Sequence, residues 1–438
     1  MYILIDKNMN TKIQQGLIHL WELPQSIYID LRPSFKQFLL SRCKEIAKTW
    51  VYLGKECGLK ISKNGKCKPL ESIISGKKFR LEVLHSLVNY LSKNDVEISL
   101  EEIEKNVKLL ASKTRGWNSS ELSNCIINPT LPFYFNTTSG PIVLSALLHD
   151  GGINSNLSPH YSNKNVELRR KVYKAFLNVF GEITGDNCNP ESNQQIYFPK
   201  VIGMILTHCL GMKSGRKTYN NPGVPNFIFN SKKEIISAFL QQTFDDEGWI
   251  HRTHVGIKLA VEIKNPSKEI ISNLKKFHPI DYAPKLLVDN MKMLFKLGIE
   301  TKGPYCREIY FTKNGRCCSK WEILIWGREN LIKFRDMVGF SSLRHRTKLE
   351  KILDSLPSVY SSDKVEFILL DACKKLQQKY GYITSRKLAE EIQRSQVRAK
   401  KAIQALLKKN IVEVKVKKCG PRAAQYMFNK DAFEEINL

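Results

Sequence analysis

The chain has 438 residues, 42% hydrophobic and 25% charged, a balance that excludes wholesale disorder and sets a prior of two to four domains. Lys and Arg total 69 against 42 Asp and Glu, so the formal net charge is +27; it points to nucleic acid first and to an anionic membrane surface second, with a generally Lys-rich composition as the competing explanation. The longest nearly unbroken apolar run, 141–148, is far short of the roughly 20 residues of a membrane span, and no basic stretch followed by an apolar one marks a signal peptide.

The pattern divides the chain into 1–128, 129–230, 231–355 and 360–438. In the first segment, 32–48 reads as a helix with Phe35, Phe38, Leu39 and Ile46 inward. Thr49 caps a second helix carrying Trp50, Leu53 and Cys57 and ended by Gly58. Pro69 opens a third, with Leu70, Ile73 and Ile74 inward before Gly76 stops it. Short helices broken at glycines predict a helical, helix-turn-helix-like domain. The loop 60–68 is longer than the usual tight turn, so it is either an insertion that reaches phosphate or a sign of another arrangement.

The second and third segments read as two copies of one mixed α/β unit. Apolar helical runs end in acid and glycine at His149-Asp150-Gly151-Gly152 and again at Phe244-Asp245-Asp246-Glu247-Gly248. Asp150 and Glu247 hold the same place before their glycines, 97 residues apart. Downstream, helices are expected over 166–180 and 267–277, and each half later reaches a helix ending in Leu-Gly, at Leu210-Gly211 and Leu297-Gly298.

The last segment predicts helices over 365–380, 385–392 (capped by Thr384) and 395–409, then strands over 411–417 and 424–428 around the Gly420-Pro421 turn. Phe367 and Val397 are placed on apolar faces, and Arg394, Arg398, Lys401 and Lys408 on the opposite side of the third helix. Three helices and a basic hairpin resemble a winged helix-turn-helix, and 17 Lys and Arg against 9 Asp and Glu over 363–438 suit a DNA backbone. A protein-binding winged helix is the alternative. The 11 cysteines form no CxxC pair, so reduced thiols in a cytoplasmic protein are expected.

Over 129–350 the paired motifs resemble the LAGLIDADG family, the homing endonucleases and their domesticated relatives. Phe244-Asp245-Asp246-Glu247-Gly248 is the closer match and Leu147-Leu148-His149-Asp150-Gly151 the looser. Gly215-Arg216-Lys217 followed by Val224-Pro225-Asn226-Phe227-Ile228 resembles the segment that leads into the second motif of two-repeat members. The resemblance implies an α+β fold: a duplicated αββαββα core whose two motif helices pack side by side and whose sheets form a saddle over duplex DNA. It also implies a monomer with internal pseudo-twofold symmetry, flanked here by the helical N-terminal domain and the winged helix.

That family cuts phosphodiesters with acids that hold divalent metal. Asp150 and Glu247 are the implied catalytic and metal-binding acids, with Mg2+ (or Mn2+) the implied cofactor, because hard carboxylate oxygens suit these cations and the metals clamp attacking and leaving oxygens. Lys217 is the carried-over catalytic lysine, and Lys320 is its counterpart in the second half by a poor match. Base reading would fall to the sheets, with Tyr161, Asn163 and Lys164 in the first half and Arg252, His254, Lys258 and Arg307 in the second.

The departures point the other way. Gln242 stands where small residues let the motif helices approach, with Gln241 beside it, and both amides need hydrogen-bond partners or exposure. His149 stands where the family has Gly or Asp; it touches metal, contacts phosphate or caps the helix. A chain that opens with Met and closes Ile-Asn-Leu reads as free-standing rather than as an intein, and its expected location is the cytoplasm, associated with the nucleoid. Sequence-specific double-stranded DNA cleavage is the expected function. The alternatives are a catalytically inactive, domesticated DNA-binding protein acting on transcription or chromatin, and an RNA-binding intron-folding factor.

Overall fold

The computed structural model describes residues 16–113, 124–185, 187–192, 194–356, 362–392, 394–416 and 424–429, the side chains of 362–366 excepted. It is a mixed α+β protein with several small antiparallel sheets. Contacts divide the chain into two compact units, Met1–Trp326 with Asn330–Glu350, and Gly327–Glu329 with Lys351–Leu438. None of the described helices is long and apolar enough to cross a membrane.

The N-terminal segment forms its helices where local signals place them. Pro33 opens Pro33–Ala47, Thr49 accepts a hydrogen bond from Tyr52 N at the start of Trp50–Glu56, and Lys68–Ile74 follows. Phe38, expected inside, is 39% exposed. The expectation of a helical domain is corrected by a five-stranded antiparallel sheet, in the order Phe79–Arg80, Tyr28–Leu31, Val107–Ala111, Cys125–Ile127, Glu182–Ile183. Strands this short carry too few alternations to be read from a pattern, and Val107–Ala111 is buried on almost every residue, which erases alternation altogether. The outermost strand comes from the first core half, so both are built into one unit.

The first core half runs through helix Ser139–Leu148, strands Gly151–Ile153 and Pro159–Ser162, helix Val166–Phe180, strand Gln195–Tyr197 and helix Lys200–Cys209. The second runs through helix Lys233–Glu247, strands Gly248–Ile250 and His254–Glu262, helices Lys268–Phe277 and Lys285–Lys296, strands Lys302–Phe311 and Cys317–Trp326, and helix Arg328–Met337. Ser139–Leu148 and Lys233–Glu247 are the two central helices. The first is buried on nearly all sides because it packs against both Lys233–Glu247 and Val166–Phe180. Ser145 Oγ meets Thr243 Oγ1 at 3.0 Å across the seam.

The halves match at their beginnings and differ at their ends. The second half has a four-stranded sheet ordered Gly248–Ile250, His254–Glu262, Cys317–Trp326, Lys302–Phe311. The first has three strands, Gly151–Ile153, Pro159–Ser162 and Gln195–Tyr197, because Glu182–Ile183 pairs with Cys125–Ile127 instead. The two Leu-Gly helix ends also occupy different places: Lys200–Cys209 follows the last strand of its half, whereas Lys285–Lys296 precedes the last two strands of its own.

In the second unit, Ser362–Tyr380, Ser385–Glu391 and Gln396–Lys408 precede a hairpin of Val412–Val416 with Gln425–Phe428. Thr384 caps its helix by accepting from Lys387 N. Cys373, Leu376, Ile383, Leu388, Ile403 and Phe428 form the core of this unit. Phe367 and Val397 are not part of it: they are 74% and 67% exposed.

Candidate active site and nucleic-acid interface

Each central helix ends at an acid because the next residue is a glycine that turns the chain into a strand. At Gly151 the close approach is the reason: a Cβ there would lie 2.4 Å from the carbonyl oxygen of His160 on the neighbouring strand. Asp150 is half-buried and accepts from Asn163 Nδ2 at 2.8 Å. Glu247 ends the second helix, also half-buried.

The two acids are close enough to act on each other. Burial, then the charge of Asp150, pushes Glu247 up to about 7, against the opposing pull of Lys217 and Lys320. Burial also raises Asp150, against its hydrogen bond from Asn163 and the charge of Lys217. Lys217 opens the short helix Lys217–Asn220 and donates from Nζ to the carbonyl oxygen of His149. Burial lowers its pKa, against the opposing pull of Glu247, Asp150 and Asp246. Lys320 lies exposed on strand Cys317–Trp326 and lines a pocket of about 330 Å3 with Glu247, Lys217, Lys258 and Tyr310. The four residues named from the motifs therefore meet in one place.

Asp246 is the member that sequence reasoning missed, although it lies inside the quoted motif. It is buried well into the cluster and its pKa is raised, first by burial and then by Asp150. Its Oδ1 accepts from Tyr161 OH at 2.7 Å and from Gln242 Nε2 at 2.9 Å, while Oδ2 is buried with no hydrogen-bond partner. Asp245, one residue earlier, is structural: it pairs with Lys171 Nζ at 2.9 Å and accepts from Ser341 N at 2.8 Å. Gln241 donates to Val338 O at 2.9 Å, whereas Gln242 is satisfied at Nε2 alone and its Oε1 is buried with no hydrogen-bond partner.

His149 sits at the end of the first central helix, its Nε2 buried with no hydrogen-bond partner. Its ring is buried, Nδ1 lies 2.8 Å from Ser145 O, and burial drives its pKa down to about 3. A neutral imidazole at the helix end is what remains.

Two expected DNA contacts are corrected. Tyr161 is fully buried and bonded to Asp246, and His254 is 8% exposed, stacked on Trp326 with ring centroids 4.5 Å apart. Tyr161 turns inward by strand register with period 2, whereas His254 shares the face of Lys258 and is covered there by Trp249 and Trp326. Asn163 is engaged at both ends of its amide, by Asp150 and by Asn165 N, and so orients the acid. Lys164 and Arg252 are exposed. Lys258 and Arg307 lie on the open face of the four-stranded sheet, both paired with Glu322. In the other unit Arg398, Lys401 and Lys408 are exposed on Gln396–Lys408, and Arg394, half-buried, precedes that helix.

Among the described residues no group of three or more His, Cys, Asp and Glu side chains is gathered as a metal cluster. The donors at the cluster are nonetheless of one kind. Asp150, Asp246 and Glu247 offer only hard oxygens, the charge of Asp150 raises both Asp246 and Glu247, and Asp246 Oδ2 lacks a partner. Such a set fits Mg2+ or Mn2+, which keep several waters and take one or two carboxylates alongside substrate phosphates. No protein-family model matches the chain, and no curated protein matches its sequence.

Proposed function

We propose that this chain binds double-stranded DNA and hydrolyses its phosphodiester bonds at a specific site, as a two-repeat protein of the LAGLIDADG type with a winged-helix arm. The observation that carries this is the meeting of Asp150 and Glu247, from equivalent ends of two packed helices, beside Lys217 and Lys320 and next to a sheet face rich in cations. Repulsion between two carboxylates is tolerated where a cation or a polyanion with its cations will be bound.

In this proposal Asp150 and Glu247 hold the divalent cations, which supply an activated water and a stabilised leaving oxygen. Asn163 fixes one oxygen of Asp150. Lys217, with Glu247, Asp150 and Asp246 around it, neutralises charge on the scissile phosphate. Lys258 and the exposed lysines and arginines of Gln396–Lys408 neutralise backbone phosphates, so affinity falls steeply with salt.

The test is selection from a randomised duplex library, enriched in Ca2+, then switched to Mg2+ or Mn2+, with sequencing of the ends. Defined ends that vanish in Asp150→Asn and Glu247→Gln support the proposal. Enriched duplexes that stay intact in every metal support the second reading, a non-cleaving DNA-binding regulator. Two observations favour that reading: the Lys217 ammonium is committed to the His149 carbonyl, and the first half's sheet has lost a strand to the N-terminal sheet.

A further inference from the structure

A row of side chains crosses the open face of the four-stranded sheet in the order aromatic, cation, acid, cation, aromatic. Trp249, Lys258 and Glu322 stand on adjacent strands, and Arg307 and Tyr305 on the last. Register aligns them: Lys258 and Tyr305 both lie opposite Glu322, on either side of it. Lys258 Nζ sits 4.5 Å from the Trp249 ring centroid, and the Arg307 guanidinium 5.0 Å from that of Tyr305.

Glu322 is the unexpected member. It interrupts an apolar strand, Trp321-Glu322-Ile323-Leu324-Ile325, and its side chain is only 5% exposed on a face open to solvent. One carboxylate oxygen accepts from Arg307 Nε, and the other lies 3.4 Å from Lys258 Nζ. An acid at the centre of a basic face repels phosphate, so a surface built for backbone contact alone has no use for it. What it does is hold Arg307. With Nε engaged by Glu322 and the guanidinium carbon 5.0 Å over the Tyr305 ring, that side chain has given up part of its rotamer freedom before any ligand arrives. Its two terminal amino groups have no partner among the described residues, and they form the fork that matches O6 and N7 of guanine.

We infer that Arg307 reads a guanine in the major groove of bound duplex DNA, and that Glu322 and Tyr305 are the positioning residues that hold it there. This rests on the duplex-DNA proposal above and is independent of whether the DNA is cut.

The experiment compares wild type, Arg307→Lys and Glu322→Ala by binding a randomised duplex in Ca2+ and sequencing what is retained. Preference for guanine at one position is expected to fall about 10- to 100-fold in both variants, with other positions unchanged. Glu322→Ala is expected to bind non-specific duplex as well as wild type or more tightly, because it removes a negative charge. Tyr305→Leu replaces Glu322→Ala if circular dichroism shows that variant unfolded. Folded variants that keep every guanine preference, or that weaken evenly on all sequences, overturn the inference while leaving duplex binding intact. Failure of the wild type to bind duplex overturns the duplex proposal and this inference with it.

Discussion

Ser145 and Gln242 stand at equivalent places in the two central helices, 97 residues apart, and each engages the side chain four residues on. Ser145 Oγ lies 3.2 Å from His149 Nδ1, and Gln242 Nε2 donates to Asp246 Oδ1 across 2.9 Å. Both are fully buried at the seam. The two halves thus share one hydrogen-bonding device and end it in different chemistry, a neutral imidazole in one and a carboxyl in the other.

That device is open to a stability test. Gln242→Ala removes one of two donors from a buried carboxyl and is expected to cost about 1–3 kcal/mol in urea unfolding. Tyr161→Phe removes the other. Because both serve Asp246, the double variant should depart from additivity by at least about 0.5 kcal/mol, whereas additive losses would mean the two contacts are independent.

Asp150→Asn and Glu247→Gln should each lower cleavage by at least about a hundredfold while leaving duplex affinity within a few fold in Ca2+. Loss of binding in parallel with cutting would instead mark the acids as structural.

Glu247 also imposes a pH dependence on the metal-free protein. Its folded pKa, about 7, lies above its unfolded value, so the folded state binds the proton more tightly. Stability on this account is highest below about pH 4.5 and declines as pH rises to about 7. In EDTA, Glu247→Gln should therefore be more stable than wild type at pH 8, by up to about 3 kcal/mol, and nearly equal to it at pH 4. Thermal melts across that range decide it; a constant difference at all pH would refute the coupling.

Gly151→Ala is expected to destabilise by about 1–3 kcal/mol, since its Cβ would press on two backbone carbonyls, His160 O at 2.4 Å and Ala146 O at 2.8 Å. A displaced strand at that point also moves Asn163 away from Asp150, so divalent-cation affinity, read by terbium luminescence, should fall with stability.

In the C-terminal unit, Arg398→Ala and Lys401→Ala should weaken binding to all duplex sequences alike. Each should reduce the slope of log affinity against log salt by about 1. A change in sequence preference would place these side chains on base edges instead.

The helices were legible because their signals are local. Val166–Phe180 begins and ends where the apolar period says, Thr49 and Thr384 cap as their side chains predispose them to, and the Leu-Gly ends fall at Leu210 and Leu297. The meeting of Asp150, Glu247, Lys217 and Lys320 was legible through the repeated motif and its resemblance, each acid lying at a helix end just before a glycine.

What the sequence by itself determined, then, were the helices and the acids at their ends, because capping, period and chain reversal are decided within a few residues. Only the tertiary structure decided which strands pair and which way they face. Nothing local shows that Glu182–Ile183 leaves its own half for the N-terminal sheet, that Tyr161 turns inward to Asp246, or that Glu322 is covered by Lys258 and Arg307. Strand partners are distant in the chain, and a shift of one residue in register exchanges the buried face for the open one.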